Sequence, residues 1–220
     1  MIIMKKQLIS EQVYNYLMEM ILSMQIKPSE RISEEKIAKQ IGCSRAPIRE
    51  ALKRLANDGI VNLYPNRYAE VADYSSEQVE QVGVMRVFHD IMAIRAAMLN
   101  GSKADLLNMK TIADECFQAE KIGDRALRIK KDCEFHMEFS RLSKNQPMMK
   151  FAKELFTQIE FIQASRYFEL VNPQQQLQDH YNVIDYMINN EADKAIELIV
   201  KHGSVFFGLS QKYPLSFFIG

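Results

Sequence analysis

Four side chains in the second half of this chain have the types and spacing of metal ligands: Asp132, His136, His180 and His202. Asp132 and His136 are four residues apart, so on a helix both project from one face. His180 and His202 fall in two later stretches of strongly apolar helical pattern, and only one other histidine, His89, occurs in the chain. One carboxylate and three imidazoles on facing helices suit Zn, Ni, Mn or Fe, with positions left open for water or a ligand. An open position can also activate water, which makes a helical metalloenzyme the rival reading. A third reading makes the ion purely structural, closing the bundle. The same histidines also fit ordinary positions on amphipathic helices, so spacing alone leaves their role open.

A second group lies near the front. Arg45, Arg49 and Lys53 recur at i, i+4, i+8 and form a basic ridge along one helix. Gly42 suits a tight turn before that helix, Ser44 is a good N-cap, and Pro47 is tolerated in the first turn. A short basic helix entered by a tight turn fits the DNA major groove. The chain has a formal net charge of +0, yet residues 36–54 carry six Lys/Arg against one acid, Glu50. A local stripe matters more for phosphate contact than the net balance.

The elements that must position these groups follow from periodicity. Residues 7–23 read as an amphipathic helix burying Val13, Tyr14, Leu17, Ile21 and Leu22. Ser33 can cap a second helix over 34–40, and a third spans 45–57, ended by Asp58-Gly59. Two short strands, 60–63 and 69–72, flank a turn at 64–67, giving a winged helix-turn-helix. A boundary near 73–76 divides the chain into 1–74 and 75–220. Beyond it the pattern predicts helices near 76–99, 103–121, 124–143, 147–170, 173–190 and 192–211, the last carrying Ile196, Ile199, Val200 and Val205 inward. The fold class is mainly α: a winged helix-turn-helix followed by an antiparallel bundle of six or seven helices. The three cysteines, Cys43, Cys116 and Cys133, have no metal-type spacing and suit reduced thiols in the cytoplasm. No stretch approaches the length of a membrane span, and the start lacks an apolar signal core.

The run Ile41-Gly42-Cys43-Ser44-Arg45-Ala46-Pro47-Ile48-Arg49-Glu50-Ala51-Leu52, with Glu34, Ile37-Ala38, Leu55 and Asp58-Gly59-Ile60-Val61 around it, resembles the GntR family of bacterial transcription regulators over residues 8–72. The resemblance implies binding to a palindromic double-stranded operator as a homodimer. By the same resemblance Arg45 and Arg49 read base edges, Ser44 contacts phosphate, and Ala46 lies against the DNA. Lys53 extends the basic row, and Arg67 in the wing approaches the minor groove or backbone. Residues 75–208 resemble the FCD effector domain of FadR-type members, through the Asp132…His136 segment, the later His180 and His202, and Arg86…Asp90. That likeness implies that Asp132, His136, His180 and His202 hold a divalent ion, to which a small carboxylic acid effector binds. It makes Arg86 the candidate to grip the effector carboxylate, with a salt bridge to Asp90 as the competing role. Many relatives have arginine where this chain has Glu35, a glycine where it has Tyr68, and glutamate where it has Asp90. The implied function is a repressor whose operator affinity is set by a metabolite.

Overall fold

The computed structural model describes residues 2–65, 67–166 and 172–219. The chain divides into two compact units, Met1–Tyr74 and Ser75–Gly220.

In the first unit, helix α1 (Ile2–Leu22) packs on α3 (Arg45–Asn57), with α2 (Glu34–Ile41) beside it. Val13, Leu17 and Ile21 of α1 are fully buried with Ile48, Ala51 and Leu55 of α3. The Ser33 hydroxyl accepts from the Lys36 amide and starts α2. Gly42 then ends it at φ +70°, a left-handed conformation that glycine adopts without strain. Three strands, β1 (Arg31–Ile32), β2 (Val61–Tyr64) and β3 (Tyr68–Val71), form an antiparallel sheet in the order β1-β3-β2. Val61 pairs with Val71 and Tyr64 with Tyr68, so β2 and β3 form the wing hairpin. Helix α1 begins five residues earlier than periodicity suggests, and β1 is too short to leave a periodic signal. Asn66 of the expected turn lies outside the described residues.

The second unit is helical: α4 (Ser76–Asn100), α5 (Lys103–Lys121), α6 (Arg125–Leu142), α7 (Gln146–Ser165), α8 (Pro173–Ile188), α9 (Ala192–Phe207) and a short α10 (Leu215–Ile219). Their starts are chemically marked. Ser75 and Ser102 form capping boxes with Gln78 and Asp105, and Asp124 and Asn145 cap α6 and α7. Helices α5 and α6, α6 and α7, and α8 and α9 are joined by short turns and pack pairwise, while α4 lies against α6, α7 and α9. Gly83 of α4 lets α9 approach: a Cβ there would fall 2.4 Å from Phe207.

Three sequence expectations need correction. The last long helix stops at Phe207 because Gly208 turns left-handed at φ +66°; the expected run to residue 211 becomes a single 3-10 turn over Leu209–Gln211. Val205 is 47% exposed, not inward. At 100° per residue it sits about 140° around the helix from buried Val200. Helix α7 ends at Ser165, and positions 167–170 of its expected extent lie outside the described residues.

Candidate functional site

The basic face of the first unit is built on α3. Arg45, Ala46, Arg49 and Lys53 are all exposed, while Ile48, Leu52 and Leu55 on the opposite side are buried. Arg45, Arg49 and Lys53 line one open cleft with Arg67 of the wing and Arg31 of β1. Arg31 was not legible in the sequence, because β1 has no pattern. It stacks its guanidinium 3.9 Å over the Tyr68 ring. Arg49 donates through Nε to both carboxylate oxygens of Glu34, at 3.2 and 3.0 Å. That contact uses Nε and leaves the two outer nitrogens of the fork for another partner. Ser44 does occupy the N-cap position of α3, but its hydroxyl makes no capping hydrogen bond. Pro47 has no amide hydrogen, so the usual donor three residues after the cap is missing.

In the second unit the four expected metal ligands come together. Asp132 and His136 project from α6, His180 from α8 and His202 from α9, all buried. One ligand atom from each lies within 4.8 Å of every other. The three imidazole rings form a nearly equilateral triangle, with centres 5.3, 5.3 and 5.0 Å apart. His180 Nε2 is 3.4 Å from Asp132 Oδ1. Metal bonds of about 2.1 Å place neighbouring ligands about 3.4 Å apart on a tetrahedron and opposite ligands about 4.2 Å apart on an octahedron. A spacing as wide as 4.8 Å would have to close by about 0.6 Å for opposite ligands, or about 1.4 Å for neighbours, to hold one ion.

The free atoms point the same way. Both ring nitrogens of His136 and of His180, and His202 Nδ1, are buried without a well-aligned hydrogen bond among the described residues, an arrangement that costs stability unless something binds there. Acidic groups outside the ligand set approach two of these ring nitrogens. His136 Nδ1 is 3.0 Å from Asp90 Oδ2, and His202 Nδ1 is 3.6 Å from Asp179 Oδ2. Gln163 of α7 donates to Asp132 Oδ2 at 2.5 Å, which leaves Oδ1 for an ion. His180 stacks on Phe135 at 4.0 Å. Of these supporting groups, Asp179 and Gln163 escaped sequence reasoning, since their partners lie on other helices.

Burial, then the positive charge of Arg86, pushes the His136 imidazolium down to about 3, and burial brings His180 down to about 4. Burial opposes ionisation of Asp132, yet its contact with His180 and the Arg86 charge hold the carboxyl well below its ordinary range. At neutral pH His136 and His180 are thus neutral imidazoles and Asp132 a carboxylate, the forms that bind metal. Because both histidines ionise near 6.5 when unfolded, the unfolded chain binds the extra protons as pH falls. Stability of the ion-free domain should be intact above pH about 6.5 and decline progressively towards pH 4 and 3. Each histidine removes up to about 1.4 kcal/mol per pH unit across its window. Thermal unfolding of chelator-treated protein between pH 7.5 and 4.5 checks this; a flat profile would contradict it.

Arg86 of α4 is buried, and its Nε donates to Asp90 Oδ2 at 3.4 Å. Its Nη2 has no hydrogen-bond partner among the described residues. The salt bridge to Asp90 therefore exists and still leaves one donor of the fork unused. His89 bridges Asp90 Oδ1 at 3.2 Å and Ser140 Oγ at 2.6 Å.

Residues 9–71 match the family model of bacterial regulatory proteins, gntR family, and residues 84–204 match the FCD domain. The chain belongs to the GntR family, with an FCD domain. It is a transcriptional regulator and not an enzyme. This GntR regulator is similar to the Nta operon transcriptional regulator of Aminobacter aminovorans, 23% identical over 83% of this chain and 85% of the relative. It is also similar to the HTH-type transcriptional repressor RspR of Escherichia coli, 20% identical over 89% and 86%. Among solved structures, E. coli McbR/YncC has the same fold, with a TM-score of 0.77 at 20% identity, covering 93% of this chain and 98% of that one. No helix among the described residues is long and apolar enough to cross a membrane.

Proposed function

We propose that this GntR regulator binds a palindromic operator as a homodimer, and that a small carboxylic acid coordinated to a divalent ion in the FCD domain changes its operator affinity. The ion is held by Asp132, His136, His180 and His202, and it supplies an electrophilic anchor for the acid. The observation that carries this reading is the convergence of those four buried side chains on one point, with ligand atoms left unpartnered. Three imidazoles and a carboxylate suit zinc, nickel, manganese or iron. Arg86 contributes its unpartnered Nη2 to the acid's carboxylate, since a buried guanidinium nitrogen is satisfied best by a charged acceptor.

On the DNA side, Arg45 and Arg49 read base edges in the major groove, Ser44 and Lys53 contact phosphate, Ala46 packs against the groove wall, and Arg67 reaches the flanking minor groove. Exposed Met85, Met92 and Leu99 on α4 repeat every seven residues, at 47, 57 and 85% exposure, and offer an apolar stripe to a second copy of the chain. A two-fold dimer presents two recognition helices to a palindrome. The acid acts by favouring one arrangement of the paired DNA-binding units, and a coupling of about 1–3 kcal/mol gives a useful switch. Repression fits a relative named a repressor, and a DNA-binding regulator of this kind works in the cytoplasm.

Mobility-shift titrations with the promoter of the regulator's own operon test the reading. Operator affinity should change about 5–150-fold when a matching acid is added to ion-loaded protein, and should not respond after chelation. Arg86→Ala should retain the ion and lose the acid response. If ion-loaded protein ignores every short carboxylic acid, the ion is structural and the switch model is wrong.

A further inference from the structure

We infer that Asp90, backed by His89 and Ser140, is a positioning residue for the ion ligand His136; this rests on the ion-site reading above. Asp90 is almost fully buried on α4, and both of its oxygens are engaged. Oδ2 lies 3.0 Å from His136 Nδ1 and 3.4 Å from Arg86 Nε. Oδ1 lies 3.2 Å from His89 Nδ1, whose Nε2 is 2.6 Å from Ser140 Oγ on α6. One carboxylate therefore joins an ion ligand, the acid anchor and a buried relay that returns to the helix carrying the ligand.

The chemical consequence is specific. An acceptor facing Nδ1 puts the imidazole proton on that nitrogen and leaves the Nε2 lone pair for the ion. The negative charge also makes Nε2 a stronger donor to a cation. His89 and Ser140 matter because they fix the carboxylate from behind; a carboxylate free to rotate would orient nothing. A side chain one methylene longer is a natural test of reach.

The experiment uses the full-length chain and zinc alone, with affinity read by competition against a chromophoric chelator. Asp90→Asn keeps size and removes charge. It should weaken zinc binding about 10–100-fold and shift the visible absorption of the cobalt-substituted protein, while Asp90→Glu restores affinity to within a few-fold. His89→Phe, which leaves Asp90 in place and removes its backing, should weaken zinc several-fold and decides the matter if Asp90→Asn fails to fold. A folded Asp90→Asn with wild-type zinc affinity and an unchanged cobalt spectrum overturns the inference and leaves the ion site standing. So does His89→Phe with wild-type affinity where Asp90→Asn is not folded. Wild-type protein that binds no zinc overturns the ion site, and this inference with it.

Discussion

Replacing His180 with alanine is expected to weaken divalent-ion binding by at least about 100-fold. Four-ligand zinc sites release about 10–16 kcal/mol in total, so losing one of four ligands removes on the order of 3 kcal/mol or more. His180 is the sharpest choice because its Nε2 lies 3.4 Å from Asp132 Oδ1, the two donors already spaced as neighbours on one ion. Its ring also fills space against Phe135, so the variant leaves a cavity as well as a vacant coordination position. Comparing wild type and variant in chelator separates the two effects. The cavity lowers the unfolding temperature with or without ion, whereas the lost ligand removes the stabilisation that added ion confers on wild type. Equal ion-dependent stabilisation in both proteins would place the ion elsewhere.

The second large effect is expected on the DNA side. Arg49→Ala should cost about 1–3 kcal/mol of operator affinity and flatten the base preference at one position of each half-site. Lys53→Ala should instead weaken all sequences alike and reduce the salt dependence by about one unit of slope. Glu34 adds a twist. Its carboxylate holds Arg49 Nε in the free protein, so removing Arg49 alone also leaves an unpartnered acid facing the phosphates. The loss should therefore shrink in Glu34→Gln/Arg49→Ala relative to Arg49→Ala, while the flattened preference remains. Fluorescence anisotropy over single-base operator variants reads both quantities. A uniform loss across all variants would make Arg49 a phosphate contact.

Much of this was legible before any coordinates, and the reason is the helix itself. Arg45, Arg49 and Lys53 share a face because they are four apart, and Asp132 and His136 do so for the same reason. Helix α3 was bounded by the turn glycines on either side of it; the capping side chains that start most helices of the bundle emerged with the structure. What stayed hidden depends on contacts between elements. Asp90 was visible only as the neighbour of Arg86 one turn away, yet its shortest contact is with His136 on another helix. Asp179 sits beside His180 in sequence but faces His202. Arg31 joins the basic cleft through a strand of two residues, too short for any period to emerge. Val205 misled because an apolar residue near a helix end looks inward until its angle around the axis is counted.

X-ray absorption at the metal edge, on purified chain reconstituted with one equivalent of ion, interrogates the buried chelate without reference to DNA or effector. A first shell of three imidazole nitrogens and one carboxylate oxygen, disrupted in Asp132→Ala, is the expected spectrum. A shell of water oxygens alone, or one unchanged when Asp132 is lost, would show that these helices gather their histidines for some other purpose.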